Sequence, residues 1–238
     1  SLTLSSTVLN SLIDASTYTM TFNVSDAAGN PSNTLSTTFE VDFTAPVVQK
    51  VYSLTDDGTY KIDDQLTLVV EFSEPVTASL STTLLLETGE FDQQANYSSG
   101  SGTSSLTLIY TVQVGDQSPS LDYVGYDSLS SLEIKDLSGN TALLTLPTPG
   151  TTNSLSDLSD LVIDGIKPTI VDINPSWLYR EAQNNRYINI EERAQSQTVS
   201  MTTGGVEDGQ IASMRIVRKN TETVINSKTY TSTILSNE

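Results

Sequence analysis

Hydrophobic and polar residues alternate with a period of two through most of the first 165 residues. In STYTMTFNVSD (16–26), the apolar side chains fall on one face and the Thr and Asn side chains on the other. DQLTLVVEFSEPV (64–76) and SSLTLIYTVQVGD (104–116) repeat this pattern. Such alternation is typical of half-buried strands, and no long stretch has the 3.6-residue period of a helix. The pattern predicts an all-β chain of short strands, arranged as Greek-key β-sandwiches.

Residues 44–164 contain enough strands for one complete sandwich. The seven expected strands are A after Pro46, B at 65–73, C at about 82–88, D at about 95–99, E at 105–114, F at 129–136 and G at about 158–164. The separators between them are rich in Gly, Ser, Asp and Pro, as turns are. We therefore expect residues 44–164 to fold as a domain of their own.

The flanking segments look like parts of further units. Residues 1–43 end in an acidic turn followed by an acidic strand end, and both features recur near residues 136 and 164. We interpret residues 1–43 as the last strands of a preceding Ig-like domain, and residues 165–238 as the N-terminal part of a further Ig-like or divergent β domain. Repetition at a domain-sized period suggests a stacked array. The alternative is that the two flanks pack on each other.

The amino-acid composition excludes several classes of catalytic and metal site and speaks against some partners. The 238 residues include 11 Lys and Arg against 29 Asp and Glu, a net charge of -18, and they include no His and no Cys. The charge speaks against nucleic acid and anionic membranes as partners. A Ser-His-Asp triad and a thiolate zinc site are excluded. No segment has the apolar length of a membrane span. A metal site would have to use oxygen ligands, which suit calcium or magnesium.

Sandwich topology predicts where the acidic residues gather. The B–C loop carries Glu74, and the F–G loop carries Asp136 and Asn140; both loops would face the incoming linker with Asp42. At the opposite end, the E–F loop would bring Asp116 and Asp122 close to the departing Asp164. Asp26 repeats the F–G turn in the first segment, where its partners would belong to the preceding domain.

Clustered carboxylates repel each other unless a cation lies between them. Calcium accepts about 6–8 oxygen ligands in flexible geometry, whereas magnesium demands a stricter octahedron. The two acidic clusters are therefore candidate Ca²⁺ sites at domain junctions. The competing interpretation is that Asp-x-x-Gly-Asn is an ordinary β-turn and that the acids are solvated surface groups.

The segments SDAAGNP…FEVDFTAP and SLEIKDLSGN…LVIDG resemble the tandem Ig-like, cadherin-like repeats of large bacterial surface adhesins. The resemblance covers residues 1–175 and includes the run from 95 to 123. In cadherin-type repeats, an acidic F–G turn, an acidic E–F loop and an acidic linker bind calcium between domains. Asp136 matches the turn, Asp122 the loop, and Asp42 and Asp164 the linker. This chain has one linker acid where cadherins have several.

Two functions remain open from the sequence. The first is a non-catalytic spacer of an extracellular or cell-surface adhesin, stiffened by calcium between neighbouring domains and holding a distal ligand-binding tip. The second is a lectin-like or carbohydrate-binding module of a secreted protein, which an exposed aromatic cluster would favour. Trp177, the only Trp, could be a sugar platform but fits a core position better. The acidic segment 56–65 is expected to be a solvated A–B hairpin.

Overall fold

Strands make up nearly all of the regular structure, so the all-β prediction is confirmed. The computed structural model describes residues 3–175, 199–204, 211–214 and 230–233. The chain divides into two units, Ser1–Gly165 and Ile166–Glu238. The unit boundary falls beside the change in charge near residue 165. The further division of the first unit at residue 43 stays a prediction.

The first unit contains twelve strands and two single-turn helices among its described residues. In chain order they are α1 (Ser6–Leu9), β1 (Ser16–Phe22), β2 (Leu35–Val41), β3 (Val48–Ser53), β4 (Gly58–Lys61), β5 (Gln65–Ala78), β6 (Thr83–Leu86), β7 (Gln93–Ser99), β8 (Thr103–Thr111), β9 (Gln117–Ser118), β10 (Leu129–Ser130), β11 (Ile134–Asp136), α2 (Leu155–Leu158) and β12 (Leu161–Asp164).

The largest sheet curls around the core. Its strand order is β10-β6-β7-β8-β5-β11, and β3 also pairs with β5. β10 and β11 lie at opposite ends of this order, yet only residues 131–133 separate them in the chain. The two ends of the sheet must therefore approach each other. A smaller sheet, β4-β12-β9, completes the layer structure.

The predicted strand F forms two short strands instead of one. β10 pairs with β6, where Leu129 faces Leu84, and β11 pairs with the end of β5, where Ile134 faces Ala78. The turn at residues 79–82 separates the end of β5 from the start of β6. The ladder is therefore interrupted both between β5 and β6 and between β10 and β11. Leu132, in the interruption, is 89% exposed.

The predicted strand C lies in the large sheet with D and E, because β6 pairs with β7 and β7 with β8. In an immunoglobulin constant-type sandwich, C would lie in the sheet opposite B, E and D. The observed order therefore establishes an all-β arrangement, and the finer Ig-like topology stays a prediction.

One hydrophobic core lies inside the first unit. It is built from the inward positions of the alternating strands, such as Leu66, Leu68, Leu106 and Leu108, which are fully buried. Strands β5 and β8 supply much of it because they lie at the centre of the large sheet, and their directly opposed residues share a face.

The first segment forms a separate two-stranded ladder, β1 with β2, that runs in register from the Ser16–Val41 pair to the Phe22–Leu35 pair. Tyr18 stacks on Phe39, with ring centroids 5.8 Å apart. Val24 and Leu35 are 72% and 69% exposed. This hairpin therefore does not bury its apolar face in the way that the strands of the central core do.

In the second unit, the described strands form two antiparallel pairs. β13 (Thr169–Pro175) pairs with β14 (Val199–Gly204), and β15 (Ile211–Met214) pairs with β16 (Tyr230–Thr233). The first pair agrees with the strand expected to open a further unit. Trp177 lies outside the described residues.

Candidate metal centre

Three carboxylates from separate segments converge where the first hairpin joins the large sheet. Asp42 comes from the linker after β2, Glu74 from the irregular part of β5, and Asp136 from the end of β11. One oxygen of each lies within 4.8 Å of the others. Asp136 is buried, and the other two are half-buried. In the described part of the chain, this is the one group of three or more acidic side chains that meets this criterion.

The turn after β11 fixes the position of Asp136. Its Oδ1 accepts a hydrogen bond from the Asn140 backbone N–H at 2.8 Å, and its Oδ2 accepts one from Asn140 Nδ2 at 2.8 Å. The Asp136 N–H donates to the Asn140 carbonyl at 3.1 Å, and Gly139 supplies the positive φ of 98° that the turn needs. The carboxylate is thus held rigidly at the edge of the core.

Hydrogen bonding keeps Asp136 ionised despite its position. Burial by itself would raise the pKa of this carboxyl. The donors from Asn140, Gly139 and Ser138 outweigh burial and hold the pKa of Asp136 below its usual value. A negative charge is therefore maintained beside two other acids.

Glu74 has the opposite perturbation. Burial raises the pKa of its carboxyl, and the negative charges of Asp42, Asp136 and Asp14 raise it further. Glu74 lies where the pairing of β5 with β8 shifts register between Glu71 and Val76. A bulge of this kind re-aims a side chain, and here it directs Glu74 into the cluster. The raised pKa of Glu74 reflects burial first and repulsion by the neighbouring acids second, and a cation would relieve that repulsion.

Asn140 connects the turn to the linker. Its Nδ2 group donates to the Asp42 carbonyl at 3.1 Å as well as to Asp136. Sequence reasoning identified Asn140 as a candidate ligand, and the structure places its amide nitrogen on the cluster side. Asn140 therefore positions Asp42 and Asp136 relative to each other.

Asp14 is a member of this region that sequence reasoning did not identify. Its Oδ1 accepts from the Phe43 N–H and its Oδ2 from Thr44 Oγ1, both at 2.6 Å. These bonds, that from Thr44 foremost, hold the pKa of Asp14 below its usual value. Asp14 fastens the linker residues that follow Asp42. The partners of Asp14 are about 30 residues away in the chain, so local sequence patterns did not reveal them. The only sequence signal for Asp14 was that it is one of the four acids in residues 1–43.

Asp116 lies beside the departing strand end, as predicted, because the Gly165 N–H donates to the Asp116 carbonyl at 2.7 Å, but its carboxylate is bonded within the fold. It is 2% exposed, and its Oδ2 accepts from the Tyr110 hydroxyl at 2.6 Å and from the Gln113 N–H at 2.7 Å. Burial raises the pKa of Tyr110, and the bond to Asp116 adds to that effect, so the phenol remains a donor. Asp116 is held inside the fold by its own loop and by β8.

Asp122 is likewise used within the fold. Its Oδ2 accepts from Gly150 N–H at 2.9 Å and from Ser156 Oγ at 2.6 Å, and its Oδ1 accepts from the Tyr123 N–H. These contacts tie the loop that contains Asp122 to the start of α2. Asp164 pairs with Gln117 across the small sheet. Among the described residues, Asp116, Asp122 and Asp164 do not form a second three-carboxylate group.

Asp26 lies in a turn built in the same way as that of Asp136. Its carboxylate accepts from the Asn30 N–H and from Asn30 Nδ2, both at 2.9 Å, and Gly29 has a φ of 91°. These bonds lower the pKa of Asp26, that from the Asn30 side chain most. Asp26 is exposed, and its predicted ligand partners are not among the described residues.

The size of the cluster suits a calcium ion. With calcium–oxygen distances of about 2.3–2.6 Å, ligands on opposite sides of one ion lie roughly 4.6–5.2 Å apart. The three oxygens lie within 4.8 Å of one another, so they can share one such centre. Magnesium, at about 2.0–2.1 Å, demands a stricter octahedral geometry.

The comparisons leave this site as the main guide to function. Searches against protein-family models, curated proteins and solved structures found no match. Among the described residues, no helix has the length and apolar character needed to cross a bilayer.

Proposed function

We propose that this chain is a non-catalytic spacer of an extracellular or cell-surface adhesin, in which calcium stiffens the linker between tandem Ig-like units. The supporting observation is the convergence of Asp42, Glu74 and Asp136 from three separate segments. One of these residues lies in the linker and two lie in the sandwich. A cation bound among them would therefore join the linker to the domain that follows it.

Hydrogen bonds within the chain also prepare the linker for this role. Asp42 Oδ1 accepts from the Thr44 N–H at 3.1 Å, and Asp14 and Asn140 hold the backbone on either side. These bonds orient the linker, but they leave three acids close together. A bound cation would attract all three carboxylates, so the stiffness of the linker would depend on calcium. The neighbouring units of the same protein would be its partners.

The acidic composition supports an extracellular setting for this proposal. Extracellular calcium modules bind with Kd values of about 10⁻⁴–10⁻³ M, so a site of this kind is filled where calcium is millimolar. The net charge of -18 keeps such a chain soluble and away from nucleic acids and anionic membranes.

Calcium should raise the melting temperature of the full chain. At about 100 times Kd, binding to the native state adds roughly 2.7 kcal/mol to the free energy of unfolding. For a unit of this size that corresponds to roughly 5–10 °C. Asp42→Asn should remove most of this gain, because the amide removes a negative ligand while its oxygen can still accept from Thr44.

The matched control is Glu90→Gln, which also replaces an acid by its amide but at an exposed position outside the cluster. It should retain the calcium gain. Small-angle scattering on the same samples reports the maximum dimension with calcium and with chelator. If neither the melting temperature nor the maximum dimension responds to chelator in the wild type, the acids are turn and solubility residues and the proposal fails.

A further inference from the structure

A polar groove crosses the outer surface of three adjacent strands in the large sheet. Its volume is about 480 Å³, within the range of small-ligand sites. Its side chains come from β6, β7, β8 and the residues after β8, and they include Leu85, Gln94, Asn96, Ile109, Thr111 and Gln113. The groove is remote in sequence from the carboxylates of the candidate metal centre.

Strand register places these side chains on one face. Leu85 is directly opposite Gln94, and Asn96 is directly opposite Ile109. Directly opposed residues share a face, as do residues two apart along a strand. The intervening residues Leu84, Ala95 and Leu108 point the other way and are fully buried. The groove therefore rests on a rigid part of the fold.

Four of the nine residues that line the groove are amides, and one is charged. Gln93, Gln94, Asn96 and Gln113 line it, together with one carboxylate, Asp92, and neither Lys nor Arg. Each amide offers both a donor and an acceptor, which a neutral ligand with adjacent hydroxyl groups can use together. A phosphate or carboxylate ligand would find no cation in the groove.

Two of the amides are already held in place. Gln113 Nε2 donates to the Thr111 carbonyl at 2.8 Å, and Asn96 Nδ2 donates to the Gln94 carbonyl at 3.4 Å. Half-buried Leu85 and Ile109 provide apolar surface beneath them. Phe91, which directly precedes Asp92, is 73% exposed.

We propose that this groove binds a neutral oligosaccharide. The hydroxyl groups would exchange hydrogen bonds with Gln94, Asn96 and Gln113, and the apolar face of a sugar ring would lie over Leu85 and Ile109. The lining has no Lys or Arg, and its amides can both donate and accept hydrogen bonds. Both features favour a neutral ligand over an anionic one. The spacer would then bind glycans through its own surface, and this binding would not depend on calcium.

The test is titration of the ¹⁵N-labelled full chain in chelator, followed through its side-chain amide signals by NMR. The probes are methyl α-glucoside, methyl α-mannoside, lactose, maltotriose and chitobiose, with glucuronate as the anionic comparison. At least one neutral probe should give saturable shifts at Gln94, Asn96 or Gln113, with a Kd in the millimolar range. The double variant Gln94→Ala/Asn96→Ala should weaken this binding about tenfold or more.

The matched control is Asn33→Ala, an exposed amide in the first segment, which should bind as the wild type does. Shifts that persist in the double variant, or no saturable shift with any neutral probe at about 20 mM, would overturn the proposal. Stronger binding of glucuronate than of the neutral sugars would also overturn it. Because calcium is absent from this experiment, its failure would leave the proposal for the metal centre intact.

Discussion

Asp116→Ala should lower the free energy of unfolding by about 3 kcal/mol without changing the response to calcium. The substitution removes the acceptor of the Tyr110 hydroxyl and of the Gln113 N–H. An unsatisfied buried group costs about 1–3 kcal/mol, and Asp116 is 2% exposed. Urea unfolding with calcium and with chelator measures both the stability and the calcium-dependent gain.

Asp116→Asn provides the matched comparison. Both bonds reach the same carboxylate oxygen, and an amide oxygen in that position can accept both. We therefore expect a smaller loss than with alanine, again equal with and without calcium. A loss of the calcium gain in either variant would contradict the internal role of Asp116 and restore it as a metal ligand.

Glu74→Gln should have opposite effects with and without calcium. In chelator it should raise the melting temperature at neutral pH, because it removes a charge that is partly desolvated and repelled by Asp42, Asp136 and Asp14. In calcium it should eliminate most of the gain of roughly 2.7 kcal/mol expected at about 100 times Kd, since a negative ligand is lost. Glu90→Gln should change neither value appreciably.

The pH dependence gives this prediction a second readout. A raised pKa means that folded Glu74 holds its proton more tightly than unfolded Glu74 does. Its stabilising contribution is therefore present at low pH and is lost as pH rises from the ordinary value of 4.5 through the raised value. In chelator, the advantage of Glu74→Gln should grow over that window. An advantage that shrinks as pH rises would contradict the repulsion on which the site depends.

The lowered pKa values of Asp136 and Asp14 act in the other direction. Their contributions are present above the ordinary aspartate value of 3.8 and are lost as pH falls through the lowered values. Acid should therefore loosen the turn and the linker at a lower pH than that at which Glu74 becomes protonated.

The sequence predicted the strands and the main cluster because both follow from patterns that are local or topological. Period-two alternation located β5 and β8, whose central positions bury one face. The expected convergence of the linker with the B–C and F–G loops brought Asp42, Glu74 and Asp136 into one hypothesis. The structure groups these three residues, although it divides strand F and places strand C in the large sheet.

The remaining acids show where local patterns stop being informative. Asp26 and Asp136 lie in turns with the same sequence spacing and the same hydrogen bonds, yet Asp136 is 4% exposed and Asp26 is exposed. The difference in exposure between the two carboxylates comes only from the residues that pack around each turn. For the same reason, sequence spacing could not reveal that the Asp116 carboxylate accepts from Tyr110 and Gln113, or that Asp14 reaches Phe43 and Thr44.

Calorimetric titration of the full chain with calcium tests the central claim most directly. We expect saturable binding with a Kd of about 10⁻⁴–10⁻³ M, weaker binding of magnesium, loss of most of the calcium signal in Asp42→Asn and its retention in Asp116→Asn. Absence of saturable calcium binding in the wild type, or binding that is unchanged in Asp42→Asn, would contradict it.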